Sequence, residues 1–145
     1  MIDKKKLLEE HQLWPMASWN KFDFIHEPFS DPIEEEKMIN LIRSRVVKAN
    51  GLYCYFKGEQ CLYVGKAKPL FNRLKSHYRE SNREVPGDTR DKLWHRFFSS
   101  RRGNLTVYWK QVEDEVDRQI FELALQEILK PEFEDYRKRV QVVER

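Results

Sequence analysis

A chain of 145 residues is long enough for one domain with a sizeable hydrophobic core. Aromatics make up 13% of it, and the 35% charged fraction mixes both signs, as folded rather than disordered chains do. No run approaches the ~18 apolar residues of a membrane span, and the first residues, MIDKKKLLEEHQLW, lack the apolar stretch of a secretory signal. The expected compartment is therefore the cytoplasm, with no membrane partner. Cys54 and Cys61 sit in apolar, strand-like sequence without zinc spacing and read as free thiols.

The net charge of +3 is unevenly spread. Residues 1–65 carry 9 basic and 10 acidic side chains (−1), residues 66–110 carry 12 and 4 (+8), and residues 111–145 carry 6 and 10 (−4). A strongly basic middle third is the footprint a polyanion would select, although a solvated basic face reads the same way.

In chain order, KKKLLEEHQ (residues 4–12) predicts a short helix, and the aromatic stretch that follows, WPMASWNKFDFIHEPF, predicts irregular chain packed onto the domain. The segment SDPIEEEKMINLIRSRV carries a helix start: Asp31 as cap, Pro32 at the first position and Glu34 three residues after the cap. Ile33, Met38, Ile39, Leu41 and Ile42 form its expected apolar side. Two short strands, GLYCYF and CLYVG, are joined by a turn over residues 57–60 containing Gly58. A helix is expected from Pro69 to Arg79 with Leu70, Phe71, Leu74 and Tyr78 on one face. A loop, ESNREVPGDT, a basic helix, RDKLWHRFFSS, and a third strand, NLTVYWKQV, come next. The last helix begins near Asp114 and ends at Lys130, because Pro131 cannot continue it. This is an α+β pattern: a small three-stranded antiparallel sheet flanked by helices, with an N-terminal helical extension.

Three groups of residues carry chemistry. Gly51-Leu52-Tyr53, then nine residues, then Tyr63-Val64-Gly65 and Lys66 place two tyrosines and a lysine on neighbouring strands. Arg73 and His77, four apart on the next helix, share the edge of its apolar face. Arginine matches a phosphate through its planar fork of donors, and histidine passes protons near neutral pH. Glu122 lies mid-helix on the polar side, with Glu115, Gln119 and Gln126. Each alone also reads as ordinary strand aromatics, a packing histidine or a solvated carboxylate.

Together, residues GLYCYFKGEQCLYVGKAKPLFNRLKSHY resemble the GIY-YIG nuclease family, closest to its excinuclease C branch. Gly51-Leu52-Tyr53 stands for GIY and Tyr63-Val64-Gly65 for YIG, and the continuation Lys66-Ala67-Lys68, Leu70 and Arg73-Leu74 is its most specific part. Glu122 falls nine residues before Pro131, the family's offset for its metal-binding glutamate. The likeness covers about residues 50–134. Glu134 replaces an asparagine usual after Phe133, and His77 looks more like the restriction and homing branches, which leaves the subfamily open. The resemblance divides the chain into an extension (1–49), a GIY-YIG domain (50–136) and a tail (137–145).

It also implies an endonuclease that hydrolyses phosphodiester bonds in DNA. One divalent cation, Mg2+ or Mn2+, would sit on Glu122, and Arg73 would clamp the phosphate. Tyr53, helped by Lys66, would take the proton from water while Tyr63 bonds the phosphate or the water, with the two tyrosines exchangeable; His77 would orient water or serve the leaving group. Lys66, Lys68, Arg73, Lys75, Arg79, Arg96, Arg101 and Arg102 are the expected nucleic-acid contacts, and Arg90 and Lys92 join them on the basic surface. A silent nucleic-acid-binding module and a partner-binding accessory protein are the competing readings; a homodimer or a partner protein stays open. One geometric condition is attached. If Phe56 pairs with Cys61 in a regular ladder, Tyr53 and Tyr63 face opposite ways, whereas a shift or a bulge puts them on one face.

Overall fold

The computed structural model describes residues 3–27, 31–46, 48–81 and 92–143. The elements are α1 (Lys4–Glu10), β1 (Asn20–His26), α2 (Pro32–Arg45), β2 (Gly51–Lys57), β3 (Gln60–Ala67), α3 (Leu70–Ser81), α4 (Lys92–Ser99), β4 (Gly103–Gln111), α5 (Glu115–Leu129) and α6 (Glu132–Val143). The sheet is antiparallel in the order β1-β4-β2-β3, so β2 is central and β3 is an outer strand.

Helix ends follow the capping chemistry. The Asp31 carboxylate accepts the Glu34 N–H at 2.9 Å with Pro32 in the first turn, and Asp114 caps α5 through Asp117 at the same distance. Lys130 adopts a left-handed conformation (φ 48°) ahead of Pro131, which closes α5 where expected. The apolar face of α3 is realised in full, since Leu70, Phe71, Leu74 and Tyr78 are all buried. Of the apolar side expected for α2, Ile39 and Ile42 are buried, but Ile33 stands in solvent at the first turn.

One expectation needs correction. Among the described residues the sheet has four strands rather than three, because residues 20–26, expected to be irregular, pair with β4 from Asn20↔Trp109 to His26↔Gly103. Their sequence, NKFDFIH, alternates: Phe22 and His26 turn inward, Asp23 and Ile25 outward. Helix α6 continues from Glu132 into the C-terminal stretch as far as Val143. The loop predicted after α3 falls largely outside the described residues, and so does Arg90.

Alternation along β2 divides the core. Tyr53 and Tyr55 enter a cluster with α2, α3 and α4, holding Leu70, Leu74, Trp94, Phe97 and Phe98. Leu52 and Cys54 enter a second cluster with α1 and α5, holding Leu8, Trp19, Phe121 and Leu125. The Trp19 indole N–H bonds the Leu13 carbonyl at 2.8 Å, tying the aromatic N-terminal stretch to the second layer. Burying each such side chain is worth roughly 1.5–3 kcal/mol, so both layers hold the sheet between them. Cys54 and Cys61 are buried free thiols. Among the described residues no helix is long and apolar enough to cross a membrane.

Candidate active site

The site forms around β3, at the rim of the sheet. Register decides its composition. Tyr53 pairs with Gly65 and Tyr55 with Tyr63, yet Phe56 pairs with Cys61, so the ladder slips between Tyr55 and Phe56 and one extra residue of β3, Leu62, is accommodated as a bulge. The slip is visible in packing: Leu62 and Tyr63, adjacent in sequence, both reach the first core cluster, whereas Cys61 and Val64 reach the second. Phe56 does pair with Cys61, and the bulge nevertheless brings Tyr53 and Tyr63 to one face. Their ring centroids are 5.8 Å apart.

Gly65 is what lets both rings lie there. A methyl group on it would come within 2.6 Å of the Tyr53 ring carbon and hydroxyl and within 2.7 Å of the Tyr63 ring. This glycine is thus a gap that two phenols fill.

From α3, the His77 Nε2 stands 2.8 Å from the Tyr53 hydroxyl. Burial holds His77 well below the usual imidazole range, helped by the Arg73 and His26 charges, so it is neutral at pH 7. Tyr53 is 1% exposed, and burial keeps its hydroxyl well above the ordinary tyrosine range. The Tyr53 and Tyr63 hydroxyls are hydrogen-bonded to each other in the sense that supports a phenolate on Tyr63 and opposes one on Tyr53. Burial and the Glu122 charge raise Tyr63, while the Tyr53 bond and Arg73 lower it.

Glu122 arrives from the opposite layer. Its carboxylate accepts the backbone N–H of Lys66, and the Gln126 side-chain amide makes a long 3.5 Å contact to the Val64 carbonyl. Two α5 residues four apart therefore cover the outward-facing backbone of β3, an edge that would otherwise template pairing with another chain. Burial pushes the half-buried Glu122 up, the Lys66 ammonium pulls it down, Glu134 pushes it up again and Arg73 pulls it down. Arg73 thus acts on Tyr53, Tyr63, His77 and Glu122 alike, which places all five in one electrostatic neighbourhood. Among the described residues, no three His, Cys, Asp or Glu side chains gather as a metal cage.

Comparison with known proteins adds sequence kinship to this geometry. No family model matches the chain. It is 36% identical over 86 residues to UvrABC system protein C of Helicobacter pylori, and 37% identical over 84 residues to the Aliarcobacter butzleri protein of that name. These alignments take in 59% and 57% of this chain but only 14% and 13% of the relatives, so the chain corresponds to a small part of their length. Among solved structures it is similar to the GIY-YIG N-terminal endonuclease domain of UvrC from Thermotoga maritima, in point mutants bound to the catalytic divalent cation. One of these matches at 24% identity and a TM-score of 0.47, covering 69% of this chain and 93% of that one. The matched stretch of this chain is thus similar to UvrABC system protein C and to the GIY-YIG endonuclease domain of UvrC.

Around this site the expected phosphate contacts differ in availability. Lys68 and Arg73 are exposed, and Lys66 is half-buried beside Glu122. The Lys75 ammonium lies 5.3 Å from the Phe71 ring centroid, and Arg79 pairs with Glu35 at 2.9 Å. Arg101 holds Glu132 through Nε at 3.0 Å and the Phe97 carbonyl through Nη1 at 2.9 Å, while stacking over the Phe97 ring. Its fork joins α4 to α6. Arg96 is exposed and Arg102 half-buried, farther along the same part of the chain.

Sequence reasoning assigned no role at the site to three participants. Trp94 stacks on His77, Phe133 meets the edge of Tyr63 at 5.1 Å, and Glu134 adds its charge to Glu122 and Tyr63. The ending Pro131-x-Phe133-Glu134 was a visible signal for the last two. Nothing in the local sequence distinguishes Trp94 from a core tryptophan.

Proposed function

We propose that the domain is a divalent-metal-dependent endonuclease that hydrolyses phosphodiester bonds in DNA. The observation that carries this reading is the convergence, at one rim of the sheet, of an exposed arginine, two tyrosines, a neutral histidine and a carboxylate drawn from β2, β3, α3 and α5. Pure binding has no use for a half-buried carboxylate beside the cations that would meet phosphate.

A hard divalent cation suits the donors present. Glu122 offers oxygen, its orientation is set by the Lys66 N–H, and the charge of Glu134 adds to its own; a single carboxylate is what Mg2+ or Mn2+ accepts when it keeps most of its waters. When bound, such an ion supplies Lewis-acid stabilisation of developing charge and neutralises the Glu122 field that raises Tyr63.

The remaining steps belong to side chains. Arg73 holds the scissile phosphate by paired, charge-assisted hydrogen bonds. Tyr63, the less buried phenol, acts as the phenolate, the form that the Tyr53 bond and Arg73 favour, and takes the proton of the attacking water to become the neutral phenol. Tyr53 is too enclosed to touch substrate and serves behind it: its hydroxyl donates to Tyr63 and accepts from His77 Nε2–H, a tautomer assigned from the bonding pattern. Tyr63 thereby takes the base role first expected of Tyr53, and Tyr53 supports it from behind. Lys66, Lys68 and Arg73 supply the phosphate contacts closest to the site, while Arg79 and Arg101 spend their donors on Glu35 and Glu132.

Supercoiled plasmid, branched duplex and single strand incubated with Mg2+ test the proposal. Nicking that EDTA abolishes and Mn2+ restores is expected; a protein that cuts none of these substrates is not an endonuclease of this kind.

A further inference from the structure

The His77 imidazole is held from behind by one residue of α4. Trp94 is 5% exposed, and its ring stacks on His77 with centroids 3.6 Å apart and planes 14° from parallel. Its other side stacks on Phe98 at 4.0 Å, which leaves the indole little room to move. The indole N–H bonds the His77 backbone carbonyl at 3.1 Å. The Trp94 ring also meets Tyr63 edge-on at 4.9 Å and Tyr55 at 5.6 Å.

We propose that Trp94 is a positioning residue: its stack and its bond to the His77 carbonyl lock the imidazole plane so that Nε2 points at the Tyr53 hydroxyl. The physical need is plain. The χ2 torsion of histidine is broad and roughly two-fold, so an unsupported ring samples orientations that take Nε2 away from its partner. With centroids 3.6 Å apart only a ring plane close to parallel with the indole fits, since an edge-to-face pair needs wider spacing, and the N–H bond registers that face against the turn of α3 that carries His77. The charged and titratable groups facing the imidazole are Tyr53 from β2, Tyr63 from β3, Arg73 from its own helix and His26 from β1; from α4, the neutral indole faces it. With the ring held, the order of hydrogen bonds from His77 through Tyr53 to Tyr63 has one direction.

The consequence for catalysis rests on the nuclease reading; the consequence for the ring does not. Nitrogen-15 NMR of the imidazole side chains reads the ring directly. Wild-type protein at pH 7 should show His77 as one neutral tautomer protonated at Nε2, and a tautomer mixture there would overturn the proposal without any variant. In Trp94→Leu, which keeps an apolar filling but removes the flat face, the signal should become a mixture, whereas Trp94→Phe should keep one tautomer. If the leucine variant does not fold, Trp94→Met is read in its place. In nicking assays Trp94→Leu should lower kcat about tenfold with KM for DNA unchanged, and in a His77→Ala background it should cost less than twofold more. An equal loss in both backgrounds marks Trp94 as core filling only. A protein that cuts no DNA yet shows these imidazole signals keeps the positioning role and loses the nuclease reading.

Discussion

Helices α3 and α5 serve the same rim of the sheet from opposite layers, and they do so by different physics. On α3, Arg73 and His77 stand at the border of a fully used apolar face, and His77 is held by stacking on Trp94 and a bond to Tyr53. On α5, Glu122 and Gln126 reach the rim by gripping the open backbone of β3. One side of the site is positioned by side-chain packing, the other by main-chain polarity. The lesson is that a strand edge, normally an aggregation hazard, here fixes a carboxylate that local sequence could not distinguish from a solvated one.

If the two helices feed one centre, their key residues act as a unit. Arg73→Ala and Glu122→Gln should each lower the nicking rate by roughly 10³-fold, and the double variant should be no slower than either single one. Additive losses in a double-mutant cycle would separate the two sides. Glu122→Gln keeps an acceptor for the Lys66 N–H and removes a half-buried charge that Glu134 opposes, so its thermal midpoint should be unchanged or higher.

Gly65 is where both sides meet the tyrosines. Gly65→Ala forces apart rings that lie within 2.7 Å of the added methyl. An activity loss of about 100-fold and a destabilisation of roughly 1–3 kcal/mol are expected, read by nicking rate and urea unfolding.

The α3 side also carries an acid sensitivity that the α5 side lacks. His26, packed against Tyr78 and Phe98, is pushed from 6.5 down to about 3 by burial and then by Arg102, and His77 moves the same way. Between those values the unfolded chain binds more protons than the folded one. The contribution of each histidine is therefore complete above about pH 6.5. It is lost as pH falls toward the folded value, by about 1.4 kcal/mol for every pH unit crossed. Urea midpoints from pH 7 to pH 4 should show it, and His26→Phe should flatten the profile.

The smallest effect belongs to Gln126. Its long contact to the Val64 carbonyl predicts a loss of only about 0.5–1.5 kcal/mol for Gln126→Ala. Glu122 should keep its role in that variant, with nicking within a few-fold of wild type.

Much of this protein was legible in one dimension because the relevant forces are local. Caps at Asp31 and Asp114, the stop at Pro131, the inward face of α3 and the pairing of GLYCYF with CLYVG each depend on residues within a few positions of one another. The tyrosines, Lys66, Arg73 and Glu122 could be picked out through motif and spacing. Strand β1 was legible in principle, since NKFDFIH alternates, but the Trp and Pro residues before it read as irregular chain. Other features had no local signature. The slip at Tyr55 and Phe56 depends on which of Leu62 and Tyr63 finds room in the first core cluster, and alternation alone allows either register. The grip of α5 on β3 joins residues 56 positions apart (Lys66 and Glu122), and the stack of Trp94 on His77 joins two helices across a connecting segment. Sequence determined which groups are available; tertiary packing decided their face, their neighbours and their charge, because burial and fields act through space rather than along the chain.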